Sequence, residues 1–93
     1  MNQAEISIAS DHPAGPGHFP GHPIVPGAVL LSEIAHAVGL GCRGVVSAKF
    51  LHPVRPGETL SLTWQDATAD TVRFAASVAG RAVVTGVLRL GPR

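Results

Sequence analysis

The stretch Gly17-His18-Phe19-Pro20-Gly21-His22-Pro23-Ile24-Val25-Pro26-Gly27-Ala28 sets a histidine in a segment dense in proline and glycine that runs straight into an apolar run. Histidine is the side chain whose ordinary pKa lies nearest neutrality, so His18 suits the removal and return of a proton. Prolines 20, 23 and 26 fix φ and push the residues before them towards extended backbone. The segment therefore loses little entropy in holding His18 in one place. Gly27 then opens a helix, and the free amides of a first helical turn can face the oxygen of a ligand. Further along that helix, Ser32, Glu33 and His36 supply a hydroxyl, a carboxyl and an imidazole.

The elements that must position these groups are one helix and five strands. Residues 4–9, Ala-Glu-Ile-Ser-Ile-Ala, alternate with period two, as a strand with one buried face does. From Ser10 to Pro26 the proline and glycine density marks an ordered loop. Pro26 to about Leu40 reads as a helix, stopped by glycines 39 and 41 and apolar over most of its circumference, hence buried. Val45–Val54, Thr59–Asp66, Thr71–Ala79 and Ala82–Leu90 read as four more strands, expected as an antiparallel meander. Turn residues at Arg55-Pro56-Gly57, Ala69-Asp70 and Ala79-Gly80-Arg81 separate them. The expected class is α+β, a curved sheet wrapping one central apolar helix. Neither repeats nor linkers interrupt residues 1–93, which read as a single domain.

Bulk properties narrow the partners. The chain has 93 residues, 45% of them hydrophobic and only 14% charged, which is greasy for so small an interior. Some apolar surface is expected to be covered by another copy. Seven Lys+Arg against six Asp+Glu give a net charge of +1 and no basic run, which argues against nucleic acid. A single cysteine and no signal-peptide pattern point to a reducing, cytoplasmic setting. The apolar runs are far shorter than the ~20 residues of a membrane span.

The motif His18-Phe19-Pro20-Gly21-x-Pro23-x-x-Pro26-Gly27 resembles, without a gap, the active-site signature of the hotdog-fold β-hydroxyacyl-[acyl-carrier-protein] dehydratases. Lys49-Phe50-x-x-Pro53-Val54-x-Pro56-Gly57-Glu58-x-Leu60 is similar to that family's third-strand turn, and Ser77-Val78-Ala79-Gly80-Arg81-Ala82-Val83 to its last hairpin. The family's N-terminal helix and opening strand have no counterpart, so the resemblance is to a trimmed hotdog: an antiparallel five-stranded curved sheet around one helix. It implies elimination of water from a 3-hydroxyacyl thioester carried on phosphopantetheine, giving a trans-2-enoyl thioester with no metal or redox cofactor. It also implies dimers joined sheet edge to sheet edge, with an acyl carrier protein or acyl-CoA supplying the substrate. By the same resemblance His18 is the base, Gly27 offers its amide to the thioester oxygen, and Phe19, Pro26 and His36 line the substrate.

The carboxylate is where this chain departs. The family's Glu or Asp falls fourteen residues after the histidine, and that position here is Ser32, with Glu33 one place later. One residue turns a side chain by about 100° around a helix. Three readings stay open: the carboxylate is lost at Ser32; a bulge near Pro26-Gly27-Ala28 returns Glu33 to the site; or Ser32, with His36 one turn on, holds a water that donates the proton. The corresponding functions are an active dehydratase, or an acyl-thioester-binding subunit that has lost its acid and pairs with an active homologue as a heterodimer. A hotdog thioesterase is less favoured, because those enzymes do not need the His-Phe-Pro-Gly loop.

Other residues have plainer expectations. His22 occupies a variable place in the motif and reads as an exposed loop residue. His12, His18 and His22 lack the spacing and companions of a metal site. His52 reads as surface, Cys42 as a small buried or half-buried residue, and Trp64 as core or interface. The arginines at 43, 55, 73, 81, 89 and 93 read as solvated, some of them near the mouth of the site facing an acidic carrier.

Overall fold

In the computed structural model, which describes residues 2–8, 24–39 and 41–91, strand β1 (Asn2–Ser7) precedes the helix α1 (Gly27–Val38). Strands β2 (Cys42–Phe50), β3 (Thr59–Thr68), β4 (Thr71–Val78) and β5 (Arg81–Leu90) follow. All pairings are antiparallel, in the order β1-β3-β4-β5-β2. Ile6 and Ile8 point inwards from β1 and its end while Glu5 and Ser7 face solvent, as the alternation requires.

The 12 residues of α1 would be marginal alone, and tertiary packing holds them. Leu30, Ile34 and Val38, four residues apart, form one buried stripe. That stripe meets Val54, Leu60, Leu62, Phe74, Val84 and Leu88 in a single core. Gly39 ends the helix with a left-handed φ of 66°, its N–H donating to the Ala35 carbonyl at 3.0 Å.

The expected meander of the last four strands needs correction. Only β3, β4 and β5 form one; β2 lies at the far edge, beside β5. The reason is the helix, which carries the chain across the concave face between β1 and β2 and delivers β2 to the opposite side. The strand expected over Val45–Val54 also begins earlier, at Cys42, and ends at Phe50. Pro53 has no N–H for a ladder, and the N–H groups of Leu51 and His52 both turn to the Val83 carbonyl, at 2.8 and 3.4 Å. Ala76 pairs with Val84 and Ser77 with Ala82, so Val83 is the extra residue of a bulge, with a carbonyl to spare.

The outer edge of β2 bears the largest exposed apolar side chains among the described residues: Val45, Val46, Phe50 and Leu51, each 40–49% exposed. Cys42 is half-buried, as expected. Trp64 packs against the core from its rim.

Candidate functional site

The residues between β2 and β3 build the site's frame. Val54 accepts a hydrogen bond from the Val25 N–H at 2.7 Å, which fixes the approach to α1. Three residues on, the Gly57 N–H donates to the Ile8 carbonyl at 2.7 Å, and the Ile8 N–H donates to the Glu58 carbonyl at 3.0 Å. Both ends of the segment that carries His18, one after Ile8 and one before Ile24, are therefore pinned to this one connector. His18 and Phe19 themselves lie outside the described residues, as do His12 and His22.

Pro26 stands at the helix N-cap with extended backbone and offers no side-chain cap. The first helical bonds run from the Val29 and Leu30 N–H groups to the Pro26 carbonyl, at 3.0 and 3.1 Å. The amides of Gly27 and Ala28 lie ahead of that ladder, at the positive end of the helix. Gly27 borders an open cavity of about 440 Å³ walled also by Val25, Leu30, Phe50, Leu51, Pro53 and Val54, a mostly apolar lining of a size that takes a small molecule. Phe50 lies directly on Gly27: a Cβ there would sit 2.8 Å from the ring Cζ, so only glycine lets the ring approach. A second cavity, of about 450 Å³, crosses β3, β4 and β5 around Trp64 and Arg73. It contains none of the signature's residues, and the chemistry is assigned to the first.

Ser32 and His36, one turn apart, are both exposed and lie on the helix side opposite the buried stripe. Glu33 is half-buried, a third of a turn from Ser32. The bond from Leu30 to Pro26 is an ordinary helical one, so the first turn holds no extra residue to shift Glu33 into the Ser32 position. The structure thus brings Pro26 and Gly27 to the apolar cavity, and places Ser32 and His36 together on a face that the chain's own sheet does not cover.

A model of the family described as ApeI-like, ApeI dehydratase, matches residues 1–87. The chain belongs to the ApeI-like dehydratase family. It is 32% identical to the 3-hydroxyacyl-[acyl-carrier-protein] dehydratase FabZ of Geotalea uraniireducens over 97 aligned positions, 88% of this chain and 66% of that protein. To FabZ of Thermus thermophilus it is 39% identical over 70 positions, 60% of this chain and 49% of that protein. The chain thus spans between half and two thirds of the length of these curated relatives.

Among solved structures, this chain of the ApeI-like family superposes on the dehydratase heterocomplex ApeI:P of Xenorhabdus doucetiae with a TM-score of 0.78 and 23% identity, covering 97% of this chain and 86% of that one. An uncharacterized protein from Erwinia carotovora gives the same TM-score at 27% identity, with 97% and 82% covered. The fluoroacetyl-CoA-specific thioesterase FlK, at 0.68 and 11% identity, covers 95% and 85% and shares the fold alone. The fold of the ApeI-like chain is the hotdog fold.

Phe50 and the wall Leu51-His52-Pro53-Val54 were not legible as site residues of the ApeI-like chain. The signal was present in the resemblance of this stretch to the third-strand turn, and in an aromatic at a strand end followed by proline. Neither feature says which other element lies opposite.

Proposed function

We propose that this chain removes water from a 3-hydroxyacyl thioester on a phosphopantetheine arm, releasing a trans-2-enoyl thioester. The observation that carries this reading is the junction of the signature with the helix: the signature ends at Gly27, whose amide precedes the helical ladder and which lines an apolar cavity. In the reaction His18 takes the α-proton, and the electron pair left on carbon is shared with the thioester oxygen, held by the Gly27 amide. Expulsion of the 3-hydroxyl with one proton then yields water and the double bond. Phe19 and Pro26 line the arm. The proton comes through a water held by Ser32 and His36, whose shared exposed side suits the task; Glu33 sits beside this pair. No metal or redox cofactor enters these steps.

The unit that acts is a dimer of hotdog domains, residues 1–93 forming one. It forms through the free β2 edge, where four exposed apolar side chains stand beside unpaired backbone groups. The helix side bearing Ser32 and His36 would then face the partner's His18 segment. The partner is a second copy or a related subunit, and the substrate arrives on an acyl carrier protein or coenzyme A in the cytoplasm. Among the described residues, no helix is long and apolar enough to cross a membrane.

One observation favours a second reading, an acyl-binding subunit whose active site is completed by a homologue: a regular helix places a serine where the dehydratases carry a carboxylate. The deciding experiment is hydration of a trans-2-enoyl thioester, followed by loss of its conjugated absorbance, with His18→Ala alongside. Turnover that disappears in the variant is the expected result. A folded, dimeric protein with no turnover would leave the binding subunit.

A further inference from the structure

A smaller, strongly polar cavity of about 190 Å³ shares His52 and Pro53 with the apolar one. Arg55, Arg81, His52 and Glu58 line it together with Pro53. Arg55 comes from the connector and Arg81 from the start of β5, two residues before the Val83 bulge that anchors His52. Glu58 offsets one of the two positive charges and leaves one in excess; its carboxylate is turned to the backbone, Oε1 accepting the Arg55 N–H at 2.7 Å, while its own N–H donates to the Arg55 carbonyl at 3.2 Å. Among the described residues, neither guanidinium has an ion-pair or hydrogen-bond partner. Two arginines without side-chain partners lining one small polar hollow suit an anion with several oxygens, which arginine binds through paired hydrogen bonds.

The reach available from the reaction site suits one such anion. Phe50 touches Gly27, and Arg55 lies five positions after Phe50, so their Cα atoms are at most about 18 Å apart. A pantetheine arm has roughly thirteen bonds between its phosphorus and its sulfur, about 15 Å when extended at backbone bond dimensions. We propose that Arg55 and Arg81, with His52, hold the phosphate ester at the end of the pantetheine arm while the thioester lies at Gly27. This rests on the dehydratase reading. The shared chemistry is the 4′-phosphate, whether it belongs to a carrier protein or to coenzyme A.

The test compares binding of 4′-phosphopantetheine with that of pantetheine, the same arm without phosphate, by calorimetric titration of the full chain. The phosphorylated arm is expected to bind at least tenfold more tightly, and Arg55→Ala with Arg81→Ala to bring the two within about twofold. Both side chains are exposed, so the variant should fold. Arg73→Ala, which removes one arginine outside this cavity, should keep the preference. Equal binding of the two arms, binding of neither, a preference that survives the double variant, or one lost equally in Arg73→Ala would overturn the proposal. Displacement of the bound arm by coenzyme A, by the phosphopantetheinylated carrier, or by both identifies its source; displacement by neither would also overturn it. Hydration of an enoyl N-acetylcysteamine thioester, which has no phosphate, tests the dehydratase reading separately. Its failure with phosphate preference intact would count against that reading alone.

Discussion

Ser32 stands where a carboxylate would normally protonate the leaving hydroxyl, and it is exposed on a regular helix, so exchanging it costs little stability. Ser32→Asp is expected to raise the hydration rate about tenfold or more, since a positioned acid is worth roughly two to four orders of magnitude. An unchanged rate would mean that the water held by Ser32 already serves. Glu33→Gln should alter turnover less than about threefold, because its side chain points a third of a turn away; a collapse in turnover would assign the acid to Glu33 instead. His18→Ala should lower the rate at least a hundredfold with an unchanged melting curve, as expected of a base whose loss leaves the core intact.

Among the elements, the β4–β5 hairpin carries a visible cost. Val78 pairs with Arg81, so the loop has two residues, and Ala79 and Gly80 both have positive φ, 51° and 82°. That is a type I′ turn, suited to Asn-Gly, with a Cβ forced into the left-handed region. Ala79→Asn should stabilise the fold by about 0.5–1 kcal/mol, measured by urea unfolding. At the opposite end of the site, Gly27→Ala drives a methyl into the Phe50 ring. Because that ring is 49% exposed it can move aside, so stability should fall by less than about 1 kcal/mol. The cavity it walls changes shape, however, and KM for an enoyl thioester should rise several-fold.

At the scale of the molecule, the sheet ends on β2 in a free edge with apolar side chains, which solitary proteins avoid. A charge placed there should prevent a second sheet from pairing. Val46→Lys is expected to convert a dimer into a monomer in sedimentation, with turnover lost because His18 and the Ser32 face of a second subunit no longer meet. A variant that stays dimeric would place the interface elsewhere.

Much of this was legible in the residues alone. Period-two runs marked the strands because a side chain's face depends only on its own strand, and the Leu30, Ile34 and Val38 stripe marked the helix for the same local reason. The proline-rich signature pointed to the family, which the match over residues 1–87 bears out. Tertiary structure decided which elements became neighbours: that β2 lies beside β5, that Val83 bulges to turn Leu51 and His52 aside, that Phe50 covers Gly27, and that Arg55 and Arg81 line one hollow. Periodicity says which side of a strand is buried but not which strand lies next to it. That choice belongs to backbone hydrogen bonds and core contacts between residues far apart in the chain, and it settles only when the helix closes on the sheet.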